Sequence, residues 1–139
     1  MPNTGGCLCG AIRFRVDAPP VLVANCHCAI CRRAHGAAFG SFAVFPLTAF
    51  RWTEGEESLG VYRSSASFRR HFCPLCGTHL AIFEDWNPDG VTLVLAALDE
   101  PHDLSPAMHI FTGSRAPWYC IRDELPQHAA WPPGVGPVA

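Results

Sequence analysis

Residues 25–35 read Asn-Cys-His-Cys-Ala-Ile-Cys-Arg-Arg-Ala-His and place three thiols in a C-x-C-x-x-C array. Two other segments resemble it: Cys-Leu-Cys-Gly at 7–10 and Cys-Pro-Leu-Cys-Gly at 73–77. Seven of the eight cysteines therefore fall into groups of two, three and two. Zinc takes four tetrahedral ligands, and thiolates are among those it prefers. The two pairs together make a closed four-cysteine site, whereas the middle group lacks one protein ligand.

The outer pairs predict a structural zinc site. The C-x-x-C pair has the spacing of a tight turn, in which a proline fixes φ and the glycine that follows supplies a permissive backbone. The C-x-C pair is a weaker signal alone, but it has the same trailing glycine. One shared ion would join the N-terminus to a distant segment, and structural zinc contributes on the order of 10 kcal/mol to folding. The predicted ligands are Cys7, Cys9, Cys73 and Cys76.

Cys26, Cys28 and Cys31 predict a second zinc, so that two ions are expected per chain. Two completions of this shell remain open. The first is a protein ligand, which would make the site structural; the candidates are Cys120, His27, His35 and His79. The second is water or substrate, which would make the three cysteines a catalytic site. His27 lies between two ligands, so its side chain is expected to point away from the metal.

Arg32 and Arg33 follow the array directly. Arginine pairs well with carboxylates, so these two residues are candidates for holding the carboxylates of a substrate. The alternative is a solvated helix face that carries two ordinary charges.

Composition indicates one soluble domain. The chain has 139 residues, 49% of them hydrophobic, and a formal net charge of −2. This charge gives no electrostatic footprint for nucleic acid. The N-terminus lacks the pattern of a signal peptide, and no apolar run reaches the roughly 20 residues that span a bilayer. We therefore expect no nucleic-acid or membrane partner, and a cytoplasmic protein whose thiols stay reduced and bind metal instead of forming disulfides.

The pattern of apolar residues predicts a mainly β fold with little helix. Residues 10–17 alternate between apolar and basic side chains, which is typical of a half-buried strand. About one helical turn is expected over 29–34, ended by Gly36. Trp118 and Trp131 are interpreted as packing anchors of a proline-rich tail. The other predicted strands cover 21–24, 39–45, 59–62, 67–72, 78–83, 91–98 and 107–111.

The three cysteine segments resemble the glutathione-dependent formaldehyde-activating family, also called GFA/CENP-V. The resemblance rests on Gly-Cys-Leu-Cys-Gly at 6–10, Cys-His-Cys-Ala-Ile-Cys-Arg-Arg at 26–33 and Phe-Cys-Pro-Leu-Cys-Gly at 72–77. Leu-Asp at 98–99, residues 106–111 and Trp118 also resemble the family pattern. It covers about 5–126 of a single domain spanning 1–139, and leaves 127–139 as an irregular tail.

The resemblance implies a β-tent fold, in which antiparallel sheets pack around a structural zinc. It also implies that Cys7, Cys9, Cys73 and Cys76 hold that zinc, and that Cys26, Cys28 and Cys31 hold a second, catalytic zinc. The implied activity is that of a carbon–sulfur lyase, which adds glutathione or a similar thiol to formaldehyde or another small aldehyde, or reverses that addition.

Two other functions compete with this enzyme. One is a non-enzymatic zinc-binding module or chaperone with two structural zinc sites. The other is chromatin binding, which the acidic charge balance and the lack of a basic tail disfavour.

Overall fold

The computed structural model describes residues 2–137 and is mainly β. Its strands are β1 (Asn3–Gly6), β2 (Arg13–Val16), β3 (Leu22–Cys26), β4 (Gly40–Pro46), β5 (Phe50–Glu54), β6 (Gly60–Ser65), β7 (Phe68–Phe72), β8 (His79–Glu84), β9 (Gly90–Val94) and β10 (Met108–Ile110). The α-helix is α1 (Ala29–His35). Short 3₁₀ turns cover Leu47–Ala49, Glu56–Ser58, Leu95–Ala97 and Thr112–Ser114.

The strands form two sheets. A small sheet has the order β1-β2-β5, and a large sheet has the order β10-β3-β4-β9-β8-β7-β6. Neighbouring strands run antiparallel, except that β10 lies parallel to β3. The predicted β class is therefore confirmed, with one parallel pair in the large sheet. Within the described residues, no helix has the length and apolar character needed to cross a membrane.

The main core lies between the two sheets. The alternation predicted for 10–17 is confirmed, since Ile12, Phe14 and Val16 are all buried in this core. They pack in the same cluster as Phe45 and Leu93 of the large sheet. Successive side chains of a strand point to opposite faces of the sheet. The residues next to Phe45 and Leu93 in the large sheet therefore face away from the small sheet. A second cluster forms there, and it contains Ala24, Cys26, Cys31, Phe42, Ile82 and Ile110.

Four features differ from the sequence prediction. Strands β1 and β5 are not among the predicted strands, and the polar and glycine residues of β1 show no alternation. The apolar run at 91–98 is a strand only as far as Val94, after which the chain turns in 3₁₀ form. Trp118 is wrong as a packing anchor, because it is 71% exposed. The predicted tail is irregular over 127–137, and its positions 138 and 139 lie outside the described residues.

Candidate functional site

Each of the two outer cysteine pairs lies in a tight turn that ends at a glycine. The N–H of Gly10 donates to the carbonyl of Cys7 at 3.1 Å, and the N–H of Gly77 donates to the carbonyl of Cys73 at 2.8 Å. Gly10 has φ 82° and Gly77 has φ 81°, in the left-handed region that favours glycine. The trailing glycine of each pair therefore closes a turn that directs two thiols to the same side.

The four thiols of these turns converge on one point. Sulfur–sulfur distances are 3.6 Å between Cys7 and Cys9 and 3.8 Å between Cys9 and Cys73. All four ligand atoms, including that of Cys76, lie within 4.8 Å of one another. A tetrahedron with zinc–sulfur bonds of about 2.3 Å has sulfur–sulfur edges of about 3.8 Å. All eight cysteines are free, so no disulfide accounts for the short sulfur–sulfur distances. The spacing is compatible with four thiols that bind zinc.

Thr78 links the two turns. Its hydroxyl accepts a hydrogen bond from the N–H of Leu8 at 3.0 Å and lies 3.2 Å from the sulfur of Cys76. The hydrogen bond from this hydroxyl lowers the pKa of Cys76 to about 5. A thiol must lose its proton to ligate a metal, so Thr78 favours the ligating form.

The middle group of cysteines is assembled by the junction of β3 and α1. Cys26 is the last residue of β3, and Cys28 is the N-cap of α1. Cys31 lies in the first turn, and its N–H donates to the sulfur of Cys28 at 3.3 Å. Gly36 ends the helix with φ 60°, as the sequence predicted. The C-x-C-x-x-C spacing therefore brings a strand end, a helix cap and a helical turn to one point.

The thiols of Cys26, Cys28 and Cys31 lie within 4.8 Å of one another. In the part of the chain that the structure describes, no further cysteine, histidine or carboxylate joins this group. Cys120 is exposed, and His35 packs against His79 with ring centroids 4.9 Å apart. Hydrogen bonds from the neighbouring Cys26 and Cys31 thiols lower the pKa of Cys28 to about 2, whereas contact with Cys28 raises the pKa of Cys26. Three cysteines of this kind suit a thiophilic metal such as zinc.

Arg70 lies next to this group of thiols, although it is not among the candidate site residues predicted from the sequence. It is 3% exposed on β7, and its Nη2 lies 3.5 Å from the sulfur of Cys31. Its Nε donates to the hydroxyl of Ser64 at 3.0 Å. Its Nη1 is buried and has no hydrogen-bond partner among the described residues. The two adjacent arginines of β7 look alike in sequence, and only the register of the strand places Arg70 towards the thiols.

A cavity of about 500 Å³ opens above the three thiols. It lies on the face of the large sheet that points away from the small sheet. Cys26, Cys28 and Cys31 form part of its wall, and Arg70 and Glu84 are its charged residues. Burial raises the pKa of Glu84, whose carboxylate accepts a hydrogen bond from the buried hydroxyl of Thr92 at 3.0 Å. The cavity has a size typical of small-molecule sites.

Arg32 and Arg33 do not line this cavity. Arg32 is half-buried, and its Nε donates to the carbonyl of His27 at 3.3 Å. Arg33 is exposed on α1. The same helix contributes Ile30 to the cavity wall, so both arginines lie near the cavity without facing into it.

A buried pair of histidines packs next to the segment that carries Cys26 and Cys28. His27 and His109 are almost fully buried, and His27 Nε2 lies 2.8 Å from His109 Nδ1. His109 Nε2 in turn lies 2.9 Å from Asp123. Burial, followed by the effect of His109, lowers the pKa of His27 to about 4. The ring of His27 is thus held by a neighbouring strand and does not join the three thiols.

Comparison with known proteins connects this arrangement to one family. A family model described as "Glutathione-dependent formaldehyde-activating enzyme" matches residues 2–114. A Halomonas elongata protein, whose name describes it as a candidate glutathione-dependent formaldehyde-activating enzyme, is 31% identical over 124 residues. That match covers 82% of this chain and 77% of the relative.

A solved structure shares the fold. The crystal structure of a Rhodobacter sphaeroides protein superimposes with a TM-score of 0.62 at 25% sequence identity. It covers 71% of this chain and 90% of the Rhodobacter chain.

Proposed function

Because this chain belongs to the glutathione-dependent formaldehyde-activating family, we propose that it makes or breaks a bond between a thiol sulfur and an aldehyde carbon. The reaction is that of a zinc-dependent carbon–sulfur lyase, with glutathione or a similar thiol and formaldehyde or another small aldehyde as substrates. One observation carries the proposal: three cysteines lie in the wall of a ligand-sized cavity without a fourth protein ligand among the described residues. A reducing cytoplasm is the location we propose.

The two cysteine groups have different roles in this proposal. Cys7, Cys9, Cys73 and Cys76 supply a complete ligand set and would hold a structural zinc. Cys26, Cys28 and Cys31 supply three ligands and would hold a second zinc at the cavity. Zinc bound there would favour the deprotonated form of a substrate thiol, because coordination lowers the pKa of a thiol.

The proposed reaction is an addition that needs no oxidant or reductant. The thiol loses its proton, its sulfur forms a bond to the carbonyl carbon, and the π bond of the carbonyl breaks. The electron pair of that π bond moves to oxygen, which takes up one proton, so that thiol and aldehyde together equal the product. The reverse reaction breaks the same carbon–sulfur bond.

Arg70 is suited to assist at the carbonyl oxygen. Its Nη1 has no hydrogen-bond partner among the described residues, and the side chain lines the cavity beside Cys31. A fixed donor stabilises an oxygen on which negative charge develops, and this effect is strong where water is excluded. We assign to Arg70 the donation of a hydrogen bond from Nη1 to that oxygen.

Arg32 and Arg33 remain proposed partners of substrate carboxylates. Both lie on α1 outside the cavity, so they can meet only those parts of a substrate that extend beyond the cavity wall. In this proposal they affect the affinity for an anionic thiol more than the rate of bond formation.

The proposal is tested by exchange spectroscopy in solution. NMR would follow the interconversion of formaldehyde, glutathione and their adduct with zinc-loaded protein present. The wild type should accelerate exchange over buffer, and Cys28→Ser should abolish the acceleration. Arg70→Lys should slow it by roughly tenfold or more, in line with the loss of a positioned donor.

Matched variants control for general effects of substitution. Cys120→Ser changes an exposed cysteine outside both groups, and Arg69→Lys changes a neighbouring arginine that pairs with Asp85. Both should exchange like the wild type. Wild-type rates equal to buffer across several thiols and aldehydes would overturn the proposed chemistry and leave a zinc-binding module as the better interpretation.

A further inference from the structure

The wall of the cavity above the three thiols is mostly apolar and aromatic. Residues of all seven strands of the large sheet contribute to it, together with α1 and the segments that follow β10. Its main apolar side chains are Phe42, Phe68, Ile82, Ile110, Phe111 and Trp131. Such a surface favours a ligand that removes apolar area from water.

Besides its thiols, the cavity wall has two charged side chains, and each is partly engaged in hydrogen bonds. Arg70 contacts Cys31 and Ser64, which leaves its Nη1 for a ligand. Glu84 is bound by the hydroxyl of Thr92 and would repel a carboxylate. Glutathione carries two carboxylates and an ammonium group. A carboxylate buried in a wall of this kind without a partner pays a large desolvation cost.

Trp131 contributes to the wall from the tail of the chain, outside the residues that the family model matches. The family model matches residues 2–114 and does not include it. The preceding residue is fixed to the strand end, because the N–H of Phe111 donates to the carbonyl of Ala130 at 3.1 Å. The indole of Trp131 packs edge-on against Phe111, Trp86 and Phe68, with centroid distances of 5.1, 5.3 and 6.5 Å. The tail therefore adds an aromatic side to the cavity.

From this geometry we infer that the preferred thiol of this protein carries an apolar group, aromatic or branched aliphatic, that lies in the cavity. The inference rests on the proposed function, which brings the substrate sulfur to Cys26, Cys28 and Cys31. The group attached to that sulfur must then lie against the apolar wall, including Trp131. A small aldehyde needs little of the remaining volume.

Calorimetric titration of the zinc-loaded protein with two probe thiols tests the inference. Phenylmethanethiol has an apolar aromatic group, and glutathione has charged arms. We expect phenylmethanethiol to bind at least tenfold more tightly than glutathione under oxygen-free conditions. Toluene, which lacks the sulfur, should bind more weakly than phenylmethanethiol. Zinc is counted after each titration so that metal removal is not mistaken for binding.

Trp131→Ala locates the binding. This variant should weaken phenylmethanethiol at least fivefold and leave glutathione within twofold of the wild type. The control is Trp118→Ala, at a tryptophan that is 71% exposed and does not line the cavity. It should not alter the binding of either thiol. The comparison of phenylmethanethiol with glutathione uses the wild-type protein alone, so the inference stays testable if Trp131→Ala fails to fold.

The other results overturn the inference in distinguishable ways. Glutathione binding as tightly as phenylmethanethiol, or more tightly, would overturn the apolar preference while the proposed carbon–sulfur chemistry stands. If neither thiol binds, both the inference and the proposed placement of the thiol are wrong. Equal weakening by Trp131→Ala and Trp118→Ala would show that the cavity is not the binding site.

Discussion

At the scale of single residues, the cavity wall contains two charged side chains besides its three cysteines: Arg70 and Glu84. Arg70 lies beside a group of thiols, and the negative charge of their ionised forms would stabilise its positive charge. The carboxylate of Glu84 accepts a hydrogen bond from the hydroxyl of Thr92, and burial raises its pKa above the ordinary value of 4.5. Ionisation of Glu84 in the folded protein therefore has a cost in stability.

Replacing Glu84 by glutamine tests this cost. A carboxyl group whose pKa is raised on folding holds a proton in the folded state at pH values where the unfolded chain has lost it. The wild type should therefore lose stability as pH rises from the ordinary value of 4.5 through the higher folded pKa. Glu84→Gln can still accept the bond from Thr92 and has no charge to desolvate. Its free energy of unfolding should exceed that of the wild type at pH 7.

The measurement is chemical denaturation of both proteins at several pH values. The excess stability of Glu84→Gln should shrink as pH falls below 4.5, where Glu84 is protonated in both states. Glu57→Gln, at an exposed glutamate, reports the effect of removing a surface negative charge. A Glu84→Gln variant less stable than the wild type at pH 7 would show that the charge stabilises the fold.

At the scale of elements, the cysteine array depends on the short strand β10. This strand lies parallel to β3 and pairs Ile110 with Cys26. Its His109 reaches the ring of His27, and the N–H of His27 donates to the carbonyl of Ile110 at 3.0 Å. Backbone and side-chain contacts together therefore hold the start of the C-x-C segment.

His109→Phe should destabilise the protein by about 1–3 kcal/mol, because it leaves the buried Nε2 of His27 without a partner. Asp123→Asn should cost less, since the Asp123 side chain is 47% exposed and water can replace it. Thermal unfolding followed by circular dichroism measures both. Equal stability of His109→Phe and the wild type would show that the histidine pair contributes no net stability to this junction.

Sequence alone predicted the elements with a regular pattern. Strand β2 shows clean alternation, and the helical turn has a recognisable end at Gly36. Strand β1 is polar and glycine-rich and pairs with β2, and a side chain at Gly5 would clash with the ring of Phe14 and the carbonyl of Ala97. This fit depends on residues far away in sequence. Sequence alone also does not place Arg70 and Glu84 in one cavity, because their proximity follows from the order of the strands in the sheet.

At the scale of the whole molecule, the two cysteine groups serve opposite sides of the large sheet. The four-cysteine group brings the turn before β2 next to the turn between β7 and β8, so a metal bound there would connect the small sheet to the large one. The three-cysteine group lies on the other face, beside the cavity. The ligand grouping was predictable because cysteine spacing is local. The cavity was not, because its wall is assembled from all seven strands of the large sheet, α1 and the tail.

We expect the two cysteine groups to differ in role, and the thermal stability of two zinc-loaded variants tests this claim. Structural zinc contributes on the order of 10 kcal/mol to folding, which is comparable to the whole stability of a domain. Cys76→Ser should therefore abolish or greatly lower the unfolding transition seen by circular dichroism. Cys28→Ser should unfold close to the wild-type temperature with one zinc per chain instead of two. If both variants lose the folded state alike, the three-cysteine group is structural and the claim is contradicted.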